Sequence, residues 1–176
     1  MSFFDTYGPY EINHENRDCH VSQLSFWRDI GSVYEGLSGA IGCYVFGIRY
    51  GHKIRPWYVG MTVAKDGFKG EIFQKHKTDI YTECMGKQRG APVMFLLPLI
   101  QDNTGKYSQA RSSKKKDIAW LEITLMGFAF RQNPEISNVR DMNFLRNIEV
   151  LGLLGTRRGR PFREAQEIRR TLLGAR

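Results

Sequence analysis

Two tyrosines flank glycines in one short stretch, GCYVFGIRYGHKIRPWYVGMT, which runs from Gly42 to Thr62. Gly42-Cys43-Tyr44 opens it, and Tyr58-Val59-Gly60 comes near its end. A phenol titrates near ~10 in isolation. Nearby cations lower that value, and a tyrosine so placed becomes a general base. Glycine beside each ring leaves room for a backbone or a ligand to come close. The competing reading is structural, since tyrosines are common in strands and stack in cores. A third residue with chemical potential is Glu122, the one charged residue in the apolar run IAWLEITLMGFAF. A lone carboxylate there either sits on a solvent edge or is held for a purpose. Binding a magnesium or manganese ion through oxygen is such a purpose.

These residues need elements to position them. Met1 to Cys19 reads as irregular. Val21 to Glu35 has Leu24, Trp27, Ile30 and Tyr34 at helical spacing. Its aromatics Phe26, Trp27 and Tyr34 are read as core rather than as a stacking platform for bases. Ile41 to Tyr50 and Ile54 to Met61 are β-rich and flank the Gly turn YGHK, so they form a hairpin. Pro56 lacks a donor and belongs at the start of its strand or on an edge. DGFKGEIFQKHKTDIYTECMGK places Phe68, Ile72, His76, Ile80 and Cys84 on one stripe of an amphipathic helix ending near Gly86. APVMFLLPLI is a buried third strand. QDNTGKYSQARSSKKKD is a polar basic loop, and Asp117 then stands where an N-cap would start an apolar helix. FLRNIEVLGLLG reads as a short helix followed by a strand. RPFREAQEIRRTLLG closes the chain as a helix with Pro161 near its first position. The expected fold is therefore α/β, of the α+β kind: a small three-stranded antiparallel sheet flanked by helices. The segment 1–39 reads as an N-terminal extension, 40–140 as the core and 141–176 as a basic C-terminal extension.

The chain has 176 residues, one domain's worth, with a formal net charge of +8. That balance favours a polyanionic partner. Cys19, Cys43 and Cys84 are widely spaced with no CxxC pair, which argues against structural zinc. His14, Cys19 and His20 lack a clear fourth ligand and read as surface residues. Free thiols fit a reducing compartment, and a cytoplasmic location is expected. No signal peptide or membrane-spanning run is evident.

The order of elements carries a resemblance. A Gly-x-Tyr strand, a Tyr-x-Gly strand, a helix with basic residues, a strand and a helix with a lone Glu follow one another. This series resembles the GIY-YIG nuclease superfamily over about Ile41 to Asn138. GCYVF stands where the family has its first signature and WYVGMT where it has the second. Glu122 looks like the family's metal-binding glutamate, and Asn138 in NPEISN looks like the asparagine that usually follows. One feature departs from the pattern. The family normally places an arginine in the helix after the second signature, often with His or Tyr one turn later. From Gly60 to Glu83 no arginine occurs. Lys65, Lys69, Lys75 and Lys77 stand there instead. Lys69 is nearest the usual spacing, with Phe73 in the next turn. Lys77 has Tyr81 one turn on, and His76 is also available. Lysine offers charge but not the two-pronged geometry of arginine.

The resemblance implies metal-dependent hydrolysis of a DNA phosphodiester. Tyr58 would be the general base, Tyr44 its partner, and Lys69, Lys77 or His76 the cationic group. Glu122 would hold one Mg2+ or Mn2+ ion, with Gly42, Gly60 and Asn138 in support. Arg111, Lys114, Lys115 and Lys116 form a candidate phosphate-contacting loop. Arg157, Arg158 and Arg160 lie in GTRRGRPF, which resembles an AT-hook but runs straight into a helix and is read as a basic helix-start turn. The expected partner is DNA, with neither a membrane nor a small-molecule cofactor involved, and the sequence leaves open whether the chain forms a homodimer. The alternative is a fold whose chemistry has lapsed, leaving a DNA-binding or interaction module. Both readings require Tyr44, Tyr58 and Glu122 to converge in one basic pocket. If the tyrosines are merely core, the three lie apart.

Overall fold

The computed structural model describes residues 1–12, 19–101, 104–110, 112–138 and 162–173. They divide between two compact units, Met1–Ser137 and Asn138–Arg176. In the first unit the strands are β1 (Phe3–Phe4), β2 (Tyr7–Glu11), β3 (Gly42–Tyr50), β4 (Lys53–Thr62) and β5 (Ala91–Ile100). Its helices are α1 (Cys19–Val33), α2 (Gly67–Glu71), α3 (Lys75–Lys87) and α4 (Lys115–Gln132). The second unit contains α5 (Arg163–Leu173).

The fold is mixed α/β with an antiparallel sheet, as the sequence implies, but the sheet has five strands rather than three. The order is β1-β5-β3-β4, with β2 also paired to β5. The extra strands come from the N-terminal segment that reads as irregular. Both are short, and their Gly, Pro and Asp residues mask any alternation. They are fixed by pairing, Phe3 against Ile100 and Tyr10 against Met94. The N-terminal segment is thus part of the sheet that holds the hairpin.

Alternation along β3 sends side chains to two cores. Tyr44, Phe46 and Ile48 face one that also takes Phe26, Trp27 and Ile30 of α1, Phe68 of α2 and Tyr81 and Cys84 of α3. Ile41 and Cys43 face the other, covered by Ile118, Leu121 and Leu125 of α4. β5 supplies Met94 and Leu96 to the first and Leu97 and Leu99 to the second, which is why its sequence is apolar throughout. On α1 the buried face is Phe26, Trp27 and Ile30, while Leu24 is exposed and Tyr34 lies beyond the helix end.

Two further details differ from the sequence expectation. The helix after the hairpin is broken. Gln74 is extended at the start of α3, and its side-chain amide donates to the Gly70 carbonyl, 3.1 Å away. The break changes the helical phase. Phe68 and Ile72 are buried before it, but after it the buried set is Lys77, Tyr81 and Cys84, and His76 is exposed. At the start of α4, Lys114 occupies the cap position. Asp117 falls in the first turn, where it suits the helix dipole and accepts a hydrogen bond from Ser2 Oγ. Pro56 lies on β4, an edge strand, where its missing N–H does no harm.

Among the described residues, no helix is long and apolar enough to cross a membrane.

Candidate active site

The β3–β4 hairpin sets the tyrosines. Tyr44 pairs directly with Gly60, and Phe46 with Tyr58. Directly opposed residues share a face, so both tyrosines point to the same side of the sheet. A register shift follows at once, with Gly47 opposite Pro56, so Trp57 is the extra residue of a bulge. The Tyr44 and Tyr58 rings lie 6.2 Å apart, tilted by 33°. The Tyr44 ring lies over Gly60, where a Cβ would strike it. Gly42 is equally constrained, because a Cβ there would meet the Leu97 carbonyl oxygen.

Tyr81 joins them from α3. Its ring stacks on Phe46 at 4.3 Å and meets Tyr58 edge-on at 6.1 Å. Tyr44 and Tyr81 are buried, and neither hydroxyl has a partner at full hydrogen-bond geometry. Burial, first of all, pushes the Tyr44 phenol far above its ordinary range. The phenols of Tyr81 and Tyr58 and the Glu122 carboxylate add to the rise. Tyr44 therefore keeps its proton and acts as a neutral hydroxyl. Burial raises Tyr81 in the same way. Tyr58 is half-buried and keeps access to solvent.

The cation of this cluster is Lys77. Its ammonium lies 5.4 Å from the centre of the Tyr44 ring and forms an ion pair with Glu71 Oε1. Its side chain is 4% exposed, against 20% for Glu71. Burial draws the ammonium down to about 8, and Glu122 pulls it back up. The Glu71 carboxylate, paired with it, favours the charged ammonium in the same direction. Lys69 and His76 are both exposed. The geometry thus selects Lys77 from the three candidates, because only its position after the helix break turns it inward.

Glu122 is half-buried on α4. Its charge bears on Cys43, Tyr44 and Lys77 alike, which ties it to the hairpin residues. Cys43 is buried, donates weakly to the Ile118 carbonyl at 3.3 Å, and has its thiol pushed well up, chiefly by burial. Among the described residues, no three His, Cys, Asp or Glu side chains gather as a cage for a metal ion. Of the carboxylates near the tyrosines, Glu71 is engaged at both oxygens by Lys77 and Gln74, and Glu122 is the other that could ligate an ion through oxygen.

Asn133 and Asn138 are both buried, and the hydrogen bonds of Asn133 tie it to the hairpin. Asn133 is fully buried. Its Nδ2 donates to the Pro56 carbonyl at 2.8 Å, and its Oδ1 accepts from Arg55 at 2.7 Å and from the Glu135 backbone at 3.1 Å. It thereby fastens the end of α4 to the edge strand that carries Tyr58. Asn138 is the first residue of the second unit. Sequence reading also passed over Glu71 and gave Tyr81 no role. Tyr81 is signalled by its place one turn after Lys77, whereas nothing in the sequence marks Glu71.

Of the expected nucleic-acid contacts, Lys115 and Lys116 are exposed at the start of α4. Lys114 is half-buried, and its Nζ donates to the Met1 carbonyl at 2.7 Å. Arg111, Arg157, Arg158 and Arg160 lie outside the described residues, as does FLRNIEVLGLLG.

The chain matches no family model, and no curated protein or solved structure matches it.

Proposed function

We propose that the chain is a metal-dependent DNA endonuclease of the GIY-YIG type. The observation that carries this reading is that a half-buried Tyr58, a buried Tyr44 and the Lys77 ammonium gather on one face of the hairpin, while the charge of Glu122 on α4 acts on Tyr44 and Lys77. A core made only of stacked tyrosines has no need of a lysine and a carboxylate beside them, because burying charge is unfavourable.

In this reading Tyr58 acts as its phenolate, takes the proton from the attacking water and ends as the phenol. Tyr44 stays protonated and orients the Tyr58 oxygen. Lys77 neutralises a phosphate oxygen of the scissile group. Glu122 would hold the divalent ion, which would supply Lewis-acid stabilisation of the phosphate and the leaving oxygen. The net charge of +8 and the exposed Lys115 and Lys116 attract the DNA backbone.

A second reading keeps the fold and DNA binding without cleavage. Lysine in place of the family's arginine favours it, since the two-pronged phosphate contact is lost. Supercoiled plasmid distinguishes the two. It is incubated with the full chain and magnesium or manganese, against chelator, beside Glu122→Ala and Tyr58→Phe. Metal-dependent nicking or linearisation that both variants lose supports the nuclease. Binding with no cleavage by wild type on several DNAs supports the module.

A further inference from the structure

The Glu71–Lys77 pair is built more carefully than a chance contact. The two residues stand on different helices, either side of the break. Both oxygens of Glu71 are engaged, Oε1 by Lys77 and Oε2 by the Gln74 side chain at 3.1 Å. Gln74 is itself fixed, since the same nitrogen reaches the Gly70 carbonyl. Lys77 is thus gripped between the face of Tyr44 and an anion whose own position is set by the residue that breaks the helix. Lys77 is the closed partner of the pair and Glu71 the one that meets solvent.

We infer that Glu71 is a positioning residue and a built-in stand-in for phosphate. It holds the Lys77 ammonium over Tyr44 in the resting site, and a DNA phosphate takes its place when substrate binds. This rests on the nuclease reading for the identity of the phosphate, though the exchange itself needs only DNA binding. The exchange has two opposed consequences. Removing the Glu71 charge frees Lys77 for phosphate and tightens binding. It also releases the grip that orients the ammonium, so turnover falls.

The test titrates a fluorescein-labelled DNA duplex with full-length protein in chelator, using wild type, Glu71→Gln, Lys77→Gln and the double variant. Glu83→Gln serves as control, because it removes the same charge and frees Lys87 on the outer face of α3. Thermal melts establish that each variant is folded. Glu71→Asp, which keeps the charge but shortens the reach, takes the place of any lysine variant that does not fold. The expected result is that Glu71→Gln binds about tenfold tighter, the scale of one charge-assisted contact. Glu83→Gln changes little, and the gain disappears when Lys77 is also replaced. Glu71→Asp shows a smaller gain. In plasmid cleavage with magnesium, Glu71→Gln then shows both a lower KM and a lower kcat, a split that simple loss of folding does not give. The inference is overturned if Glu71→Gln matches Glu83→Gln, or if its gain persists without Lys77. Coupling without any cleavage by wild type overturns the nuclease reading and leaves the exchange standing. Cleavage without coupling does the reverse, and a chain that binds no DNA overturns both.

Discussion

The ring of Tyr44 covers Gly60, its direct partner across the β3–β4 ladder. This answers why each tyrosine of the hairpin comes with a glycine. Gly60 is the floor on which the Tyr44 ring lies, and Gly42 lets the start of β3 press against β5. The glycines therefore serve the placement of one phenol rather than the flexibility of a loop.

Gly60→Ala tests this directly. The added methyl must displace the Tyr44 ring, whose outer atoms occupy the space a Cβ would take. Overpacking of this kind costs about 1–3 kcal/mol. The fold is expected to survive with a lowered Tm, while plasmid cleavage falls by more than the stability loss explains. An alanine variant with unchanged activity would show that the position of Tyr44 is irrelevant to the chemistry.

Lys77 and Glu71 should depend on each other for stability. Replacing Lys77 with Met leaves the Glu71 carboxylate beside a largely apolar wall. Breaking a buried pair from one side costs about 3 kcal/mol or more when both partners are enclosed. Glu71 is 20% exposed and can turn to water, so the expected loss lies below that. Adding Glu71→Gln to Lys77→Met should recover much of it. Urea unfolding of the four proteins gives the coupling directly.

The same pair fixes the sign of a pH effect. Glu71 of α2 pairs with the Lys77 ammonium, the Tyr44 ring of β3 lies beside it, and the charge of Glu122 on α4 acts on it. Burial draws Lys77 from its ordinary 10.5 to about 8, and the two carboxylates oppose that fall. Chemistry that needs the ammonium is present below its folded value and lost as pH rises through it. Cleavage should therefore decline on the alkaline side, at or above about 8. Glu71→Gln removes one opposing charge and moves that decline to lower pH. Stability has the opposite sign. The unfolded chain binds the proton more tightly, so stability rises between the folded value and 10.5, more steeply in the variant. Rates and urea midpoints from pH 7 to 10 in steps check both.

Asn133→Ala should destabilise the first unit by about 1–3 kcal/mol, because it strands the Pro56 carbonyl, the Glu135 N–H and one arm of Arg55. Asn133→Asp keeps the acceptor and loses the donor to Pro56, so it should fall between. Chemical denaturation ranks the three. The cleavage rate should drop with them, since this clamp sets the end of α4 relative to the strand of Tyr58.

How far the sequence shows this site depends on how local each signal is. The hairpin, the apolar third strand and the helix of Glu122 follow from period and turn chemistry within a few residues, and the structure places them close to where they are expected. The identity of the cation was not legible. Lys69, His76 and Lys77 are equally plausible on one continuous helix, and the choice depends on a break made by a glutamine side chain reaching back to Gly70. Likewise nothing local in the sequence marks Asn133 as the amide that bonds the Pro56 carbonyl, because tertiary packing brings that carbonyl to it. β1 and β2 were missed because two to five residues carrying Gly and Pro have no periodicity to read. They exist only because β5 offers an edge.

That edge gives the last prediction. β5 lies between β3 and the N-terminal strands, so removing residues 1–11 uncovers a long apolar strand. The deletion also removes Tyr10, which meets Phe26 edge-on at 6.2 Å, and Tyr7, which meets Tyr34 and Tyr107 at 4.9 and 5.8 Å. It takes Glu11 from its ion pair with Arg49 at 2.5 Å and Ser2 from Asp117 at the head of α4. The exposed pair with Arg49 matters little. The aromatic contacts and the bare strand edge matter more, because an unpaired apolar edge recruits other chains. A chain starting at Ile12 should therefore unfold at lower urea and aggregate on concentration. If the N-terminal segment were a dispensable extension, the truncated protein would remain monomeric with the melting temperature of the full chain. Size-exclusion chromatography and a thermal melt of the two proteins separate these outcomes.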